Sequence, residues 1–417
     1  MATIEALRAL HYDCRRAGSL DDLIAPPYDV IDASMRAALA ARSPFNVVEI
    51  DLPRGEDPYA EAAETFDEWR LQGVVVRDRE PALWAMAQQY TGADGEPRTR
   101  RGFFARIRVE PYGPGRIRPH ERTHPGPKED RLRLTRATRA NLSPIFALYS
   151  DPGASARSIL DAQAEGTPWG EAQSLDGTHN TIWRITDPEA ISAVAAALTP
   201  QELLIADGHH RYETARIYAD EIGGEGEHRW VLAYLVAVED PGLEVLPTHR
   251  LVNGLSEARR AALREAIERD FDSQPVERSE LQPPPGNGPL ELGYIDSETR
   301  EPRRLRLRDQ AIADAALPDA SEAYRRLDTG VLETLLLRGA LGLSDDDISH
   351  LNGLGYARDT AQALQLIDDG SYDAAFLMRA APVTAVRDVA AAGENMPPKS
   401  TYFHPKVPTG LLFNPLA

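Results

Sequence analysis

The sequence predicts a mixed α/β fold (α+β, with a mixed sheet). Short apolar segments with strand composition alternate with segments of helical spacing along the 417 residues. Residues 230–238 are the most apolar of the short segments, which predicts a strand at the centre of a sheet. Residues 201–221 combine a buried strand, a glycine turn and an amphipathic helix. These three observations define the expected fold class.

The composition narrows the classes of function. The chain is long enough for two or three domains, and its 42% hydrophobic and 27% charged content is that of a globular protein. A formal net charge of −19 argues against a general nucleic-acid binder. Cys14 is the only cysteine, so an intrachain disulfide is excluded and a reducing compartment is expected. We find no signal-peptide pattern and no apolar run of about 18–20 residues, and therefore expect a cytoplasmic protein with no membrane partner.

The first hundred residues carry local signals for helices and strands. Asp32 is a candidate N-cap for the helix that follows it, and Gly73 ends an amphipathic helix that begins at residue 58. The apolar residues at 45–50 predict a strand. Further strands are predicted at 74–76, 82–86 and 102–107.

Residues 98–139 differ from the rest of the chain in charge, with thirteen Lys and Arg against four Asp and Glu. Phosphate attracts clustered cations, so this segment predicts a localised anionic ligand. A solvated, salt-bridged face is the alternative. Within the segment, Glu121 lies in a loop after Pro119 and His120, where a carboxylate beside a bound phosphate can orient and deprotonate a hydroxyl. The alternative is that Glu121 pairs with Arg122 or Lys128.

The turn at 207–211 has the chemistry of a phosphate site. The N–H groups of a helix N-terminus lack intrahelical partners and the helix dipole is positive there. Gly208 allows the backbone to approach an anion, and His209, His210 and Arg211 add donors. The alternative is that Asp207 only caps the helix. The pattern matches neither GxGxxG nor the Walker motif.

The C-terminal part contains two further polar stretches. Thr248, His249 and Arg250 follow a short strand and could form a second polar site, or a turn with surface charge. The proline-rich end of the chain carries Lys399, Ser400 and Thr401, and we expect it to pack down and close a pocket; an ordered surface wrap is the alternative. The predicted domains are a core at 1–250, an inserted α+β subdomain at 251–315 and a C-terminal segment at 316–417.

Several stretches resemble one family along the whole chain. The segments are PPYDVI, HERTHPGPKEDRL, NLSPIFALY, ADGHHRYETA, LPTHRLV and PPKSTYFHPKVPTGLLFNP. They identify the chain as a member of the family called domain of unknown function 1015, whose name supplies no activity.

A second resemblance supplies an activity. Pro119-His120-Glu121, the sequence at 207–211 and the C-terminal strand, helix and PKST tail occur in the same order as in free-serine kinases of the ParB/sulfiredoxin-like superfamily. The resemblance implies a ParB/sulfiredoxin-like nucleotide-binding core that phosphorylates free L-serine to O-phosphoserine with ATP or ADP and Mg²⁺. It implies that Glu121 is the catalytic carboxylate beside His120.

The remaining site residues follow from the same resemblance and from the polar stretches above. The turn from Gly208 to Arg211 would hold nucleotide phosphate, with Lys128 and Arg131 of the basic segment. Asp207 would hold Mg²⁺ or cap the helix. The substrate set is predicted to comprise Lys399, Ser400, Thr401, Thr248, His249 and Arg250.

Two other functions remain open at this point. One is a switch protein that binds or hydrolyses CTP or ATP. The other is a divalent-metal hydrolase that uses His120, His124, His209, His210 and Asp207, although HExxH spacing is absent. For the kinase, we expect Glu121, His209 and the Lys399–Thr401 tail to converge on one pocket.

Overall fold

The computed structural model describes residues 2–121, 123, 125–286 and 288–417. They divide into two units. Unit 1 comprises Met1–Pro119, Thr123–Glu244 and Pro405–Ala417, and unit 2 comprises His120–Arg122 and Val245–His404. Each unit has its own large sheet, and helices and strands alternate in both. The predicted mixed α/β class is therefore confirmed.

The strands are numbered in chain order. They are β1 Ile4–Glu5, β2 Leu10–Tyr12, β3 Val75–Arg77, β4 Leu83–Thr91, β5 Pro97–Arg108, β6 Ile117–Arg118, β7 Ala140–Asn141, β8 Ile145–Tyr149, β9 Gly170–Gln173, β10 His179–Ile185, β11 Leu203–Asp207, β12 Trp230–Ala237, β13 Glu244–Leu246, β14 His249–Val252, β15 Phe271–Pro275, β16 Glu291–Asp296, β17 Arg303–Leu307, β18 Leu354–Ala357, β19 Ala374–Leu377, β20 Tyr402–His404 and β21 Asn414–Pro415.

The α-helices follow the same numbering. They are α1 Cys14–Ala17, α2 Leu20–Leu23, α3 Ala33–Arg42, α4 Val48–Asp51, α5 Pro58–Leu71, α6 Pro125–Thr138, α7 Ser155–Gln163, α8 Pro188–Leu198, α9 His209–Ile222, α10 Glu257–Asp270, α11 Gln310–Ala316, α12 Glu322–Arg325, α13 Asp328–Leu332, α14 Asp345–His350, α15 Thr360–Asp368 and α16 Val383–Ala391. Short 3₁₀ helices occupy Tyr28–Val30, Glu227–Arg229 and Arg278–Glu280, and Glu333–Ala340 is a π-helix.

Unit 1 is built on a mixed sheet in the order β6-β11-β8-β12-β5-β4-β10-β9, with β1 on the end of β5. The pairs β11–β6 and β12–β8 are parallel, and the other neighbours on this path run antiparallel. All eight residues of β12 are buried between β8 and β5, so the predicted central strand is confirmed. Apolar residues of α7, α8 and α9 pack on one face of this sheet.

The C-terminal residues 405–417 pack into unit 1. Thr409 and Ala25 exchange backbone hydrogen bonds of 2.8 and 3.1 Å, and Phe413 does the same with Leu10 at 2.8 and 2.9 Å. β21 pairs with β7. On the sheet, the fully buried Arg100 donates to the carbonyl oxygen of Pro405 at 2.6 Å. This part of the tail is thus packed down as expected, whereas its closing of a pocket stays a prediction.

Unit 2 is built on a sheet in the order β15-β17-β16-β19-β14-β18. Strand β16 of 251–315, the segment predicted as an insert, pairs here with β19 of the C-terminal part. The three-part division of the chain stays a prediction of the sequence. Residues 321–370 are mainly helical except at β18, where Gly355 lies against the Tyr372 hydroxyl and a Cβ would clash with it.

The strand predicted at 45–50 is wrong, because this segment contains the helix α4. Asn46 is fully buried, and its side chain donates to the carbonyl oxygens of Asp22 and Ile24. Its amide oxygen accepts from the N–H of Val48 at 3.1 Å. This local side-chain bond starts a helical turn and competes with strand formation, despite the apolar neighbours.

Ion pairs within the protein account for the positive charge of residues 98–139 without the anionic ligand that the sequence predicted. Most of these arginines pair with acidic residues from elsewhere in unit 1, for example Arg106 with Glu5 at 2.9 Å and Arg136 with Glu221 at 2.6 Å. The pairs favour the salt-bridged face that was the alternative. Members of the segment with an ion pair are Arg98, Arg101, Arg106, Arg108, Arg118, Arg131, Arg133 and Arg136.

Across the described residues, no helix combines the length and apolar character needed to cross a membrane.

Candidate functional site

The turn between β11 and α9 has the predicted strand, glycine and helix form. Gly208 is the N-cap with φ 90°, a left-handed conformation that favours glycine. No side chain caps the first turn of α9 within the described residues, and Asp207 does not serve as its cap. His209 is buried and His210 is half-buried. The fourteen-residue helix therefore presents its positive end at this turn.

Asp207 organises a cluster of cations beside the turn. Lys406 donates to one carboxylate oxygen at 2.7 Å, and Arg211 donates to the other at 3.4 Å. Burial raises the pKa of the Asp207 carboxyl, but the charges of Lys406 and Arg211 outweigh this effect and hold it well below its usual range. Asp207 is therefore ionised at neutral pH and fixes the Lys406 ammonium next to the turn.

Arg211 supports the turn from within. Its guanidinium donates to the Ser143 hydroxyl at 2.7 Å and to the Pro144 carbonyl oxygen, in addition to Asp207. These bonds use both terminal nitrogens. Arg211 thus joins the start of α9 to the segment that enters β8.

Replacing Gly208 with alanine should destabilise unit 1. A Cβ at this position would require an L-residue at φ 90° and would lie 3.0 Å from Nε of Arg211. We expect a loss of about 1–2 kcal/mol in the free energy of unfolding, measured by denaturant titration. Gly113→Ala is the matched control, since a Cβ there meets nothing within 4 Å. Equal stability of the Gly208→Ala and Gly113→Ala proteins would contradict this expectation.

The two basic-segment residues of the predicted phosphate set differ in their surroundings. Arg131 is 5% exposed and forms ion pairs with Asp51 at 3.1 Å and Asp130 at 2.6 Å. Its guanidinium also lies over the ring of Tyr28. Lys128 is half-buried on α6, and its carbonyl oxygen accepts from the Thr214 hydroxyl at 3.5 Å. The contacts of Arg131 are those of a side chain that holds the fold together.

Unit 2 brings together three of the predicted residues. His120 is fully buried, and its Nε2 lies 2.9 Å from the Thr401 hydroxyl and 3.9 Å from the Glu121 carboxylate. The backbone of this loop is also fixed, because Met396 donates to the carbonyl oxygen of His120 at 2.7 Å and forms a bridge with Glu121. The Glu121 side chain keeps 22% of its surface exposed. A partly accessible carboxylate is thus held on an ordered backbone.

Arg250 is a buried cation that has no carboxylate partner among the residues that the structure describes. It is 3% exposed and donates to the carbonyl oxygens of Thr248 at 2.6 Å and Pro398 at 3.1 Å. Its guanidinium lies over the ring of Tyr356. Burial lowers the pKa of Arg250, while Tyr356, Glu333 and Glu121 act in the opposite direction. A buried charge without an ion pair is costly, so an anionic group would stabilise it.

His249 lies on the other face of β14 from Arg250, because side chains alternate along a strand. Its Nδ1 accepts from the N–H of Met378 at 3.1 Å, which places the proton of the neutral ring on Nε2. Burial and the charge of Arg250 lower the pKa of His249 to about 4. The ring is therefore neutral at pH 7. The alternation separates two residues that the sequence had grouped as one polar site.

The three residues predicted from the tail, Lys399, Ser400 and Thr401, differ in their contacts, which indicates different roles. Ser400 is buried; it donates to the Pro397 carbonyl oxygen at 2.6 Å and lies 2.9 Å from the Thr329 hydroxyl. Lys399 is exposed and has φ 56°. Thr401 contacts His120, as described above. Of the three, Ser400 has the contacts of a structural residue.

Lys406 was not among the site residues predicted from the sequence, although the structure places it against Asp207. Its only signal was its position in the proline-rich tail. The described residues contain no cluster of three His, Cys, Asp or Glu side chains that could hold a metal ion. His124, part of the hydrolase hypothesis, lies outside them. The convergence of Glu121, His209 and the tail on one pocket stays a prediction.

The family of the chain follows from a family model that matches residues 4–329, described as "Protein of unknown function (DUF1015)". The chain belongs to the DUF1015 family. No curated protein matches the sequence.

Several solved structures resemble this DUF1015 protein at low sequence identity. A conserved hypothetical protein from Pyrococcus furiosus has a TM-score of 0.36 and 14% identity, over 70% of this chain and 89% of that chain. A free serine kinase mutant in complex with AMP has a TM-score of 0.38 and 11% identity, over 72% and 87%. SbnI with a C-terminal truncation, from Staphylococcus aureus, has a TM-score of 0.35 and 10% identity, over 70% and 81%.

Proposed function

We propose that this protein transfers a phosphoryl group from ATP or ADP to the hydroxyl of free L-serine. The observation that carries the proposal is the turn at Gly208, where the N-terminus of the fourteen-residue helix α9, which no described side chain caps, lies beside the ordered Lys406–Asp207 pair. Helix N-termini and fixed cations stabilise phosphate charge. The motif resemblance to free-serine kinases supplies the class of acceptor.

In unit 1, Lys406 and the first-turn N–H groups of α9 would hold nucleotide phosphate, with His209 and His210 as further donors. Arg211 and Asp207 are positioning residues. Arg211 holds the turn in place through its bond to Ser143, and Asp207 holds the ammonium group of Lys406. Phosphoryl transfer depends mainly on such positioning and charge stabilisation. Arg131 and Lys128 would support the same wall from α6.

In unit 2, Glu121 would orient the serine hydroxyl and accept its proton as the oxygen attacks the phosphorus atom and the bond to the departing nucleotide breaks. Thr401 and buried His120 hold the loop that carries Glu121. Arg250 would bind the carboxylate of the amino acid, the anion that its buried charge lacks. Lys399 and Thr248 remain candidates for contacts with the substrate, whereas His249 lies on the opposite face of β14 from Arg250.

The residues present do not fit direct binding of Mg²⁺ by Asp207. Both carboxylate oxygens face cations, with Lys406 at 2.7 Å and Arg211 at 3.4 Å. Mg²⁺ is commonly held largely by water and substrate phosphates. We therefore assign Asp207 to the positioning of Lys406.

The product assay is direct. The purified full-length protein is incubated with L-serine, Mg²⁺ and either ATP or ADP, and O-phosphoserine is measured by mass spectrometry. We expect O-phosphoserine from at least one of the two nucleotides. If O-phosphoserine formed with neither ATP nor ADP, the assignment of serine as the acceptor would be wrong.

Replacing Arg250 with glutamine should raise the KM for L-serine by about 10–100-fold, since a hydrogen bond to a charged group contributes about 1.5–3 kcal/mol. The kcat should change far less. Ethanolamine, which lacks the carboxylate, should not distinguish the variant from the wild type. Arg358→Gln, at an exposed arginine of the same unit, is the control. An unchanged KM for serine would show that Arg250 has only a structural task at Pro398.

A further inference from the structure

A cavity of about 430 Å³ lies in unit 1, on the face of the sheet that carries α7. It is separate from the turn at Gly208, because none of residues 207–211 is among the residues that line it. Its floor is made of small residues and its walls of larger apolar ones. The floor is Ala85, Ala87, Gly102 and Ala237, and the walls include Tyr149, Leu160 and Trp183.

Four alternating charges form one side of this cavity. Arg157 lies 3.2 Å from Asp240 and 3.4 Å from Asp161, and Asp161 lies 3.9 Å from Arg101. At one end of this series, the Asp240 carboxylate already has partners within the protein. Its side chain is 1% exposed and accepts a hydrogen bond from the N–H of Gly242 at 2.9 Å. Arg101, at the other end, is 44% exposed, and among the described residues its one ion pair is the long contact of 3.9 Å with Asp161. The open end of the series is therefore positive.

The walls of the cavity are fixed before any ligand arrives. Asp151 accepts hydrogen bonds from three N–H groups of the first turn of α7. The hydroxyl of Tyr90 donates to the carbonyl oxygen of Gly242 at 2.9 Å, and the indole N–H of Trp183 donates to that of Gly166 at 3.0 Å. A preformed site of this volume suits a small molecule, because little conformational entropy is lost on binding.

We propose that this cavity binds a free α-amino acid with an aromatic side chain. Arg101 binds its carboxylate, and Asp161 with the amide oxygen of Gln89 accepts from its ammonium group. The ring lies on the alanine floor beside Trp183. A zwitterion matches an exposed cation next to an exposed carboxylate, and a planar ring matches a flat floor of Ala and Gly beside aromatic walls.

Binding of L-phenylalanine to the full-length protein is measured by isothermal titration calorimetry, without nucleotide or serine, so the result is independent of the proposed kinase activity. Three analogues each remove one group: 3-phenylpropionate lacks the ammonium, phenethylamine lacks the carboxylate and L-alanine lacks the ring. We expect saturable binding of L-phenylalanine and at least about 10-fold weaker binding of each analogue. No binding of L-phenylalanine at millimolar concentration, or equal binding of any analogue, would overturn the assignment.

Two variants locate the site. Arg101→Met should weaken L-phenylalanine binding by about 10-fold or more, and Ala87→Phe should abolish it by filling the floor. Arg133→Met, at an exposed arginine of α6, should bind as the wild type does. Circular dichroism of each protein confirms that it is folded. Undiminished binding to folded Arg101→Met would overturn the placement of the carboxylate even if Ala87→Phe failed to fold.

Discussion

Replacement of Glu121 by glutamine is expected to lower the rate of phosphoryl transfer to serine by about 10²–10⁴-fold. Glutamine keeps the size and the hydrogen-bonding shape of the side chain but cannot accept a proton. The loop should remain in place, because its backbone is bridged to Met396 and His120 is held by Thr401. The loss should therefore lie in kcat, with nucleotide affinity unchanged.

The measurement combines two assays on the same protein. O-phosphoserine formation is followed under single-turnover conditions, and nucleotide binding is measured by calorimetry. Glu129→Gln is the matched control, since that glutamate is 61% exposed on α6 and forms an exposed ion pair with Arg133 at 3.5 Å. If Glu121→Gln turned over at the wild-type rate, another residue would have to be the base.

Replacement of Lys406 by methionine should both destabilise the protein and weaken nucleotide binding. Lys406 and Asp207 are 15% and 16% exposed, so the variant leaves a mostly buried carboxylate without its nearest cation. We expect a loss of about 1–3 kcal/mol at pH 7. Nucleotide affinity should fall by about 10-fold or more, because a fixed charge beside the phosphate is lost.

The stability difference should depend on pH in a defined direction. The folded-state pKa of Asp207 is lowered, so the stabilisation is fully present above the unfolded value of about 3.9 and is lost as the pH falls below it. The difference in thermal stability between wild type and Lys406→Met should therefore be constant well above the unfolded pKa and should narrow as the pH falls towards 3. Lys399→Met, at an exposed lysine, should remain within about 0.5 kcal/mol of the wild type. A difference that persists undiminished at pH 3 would contradict the role of the ion pair.

The sequence predicted best what neighbouring residues determine. The strand, glycine and helix around Gly208 follow from the order of residues within twenty positions, and the structure has all three. The central strand β12 was evident from its unbroken apolar composition. The helix at α4 was missed because the buried contacts of Asn46 reach residues more than twenty positions away.

The candidate site was predicted less completely, because its partners are distant in the chain. Lys406 and Asp207 are 199 residues apart, and no local pattern relates them. Arg131 reaches Asp51 across 80 residues, which turned a predicted ligand-binding cation into part of an ion pair. The separation of His249 from Arg250, by contrast, follows from the two-residue period of a strand and could have been predicted.

The central claim is that the phosphoryl group passes to serine and not to water. The most direct measurement follows ATP and ADP consumption in the presence of L-serine and quantifies O-phosphoserine and inorganic phosphate in the same sample by ³¹P NMR. We expect O-phosphoserine in proportion to the nucleotide consumed, and neither product accumulating in Glu121→Gln. Release of inorganic phosphate without O-phosphoserine would contradict the kinase and indicate a nucleotide-hydrolysing switch.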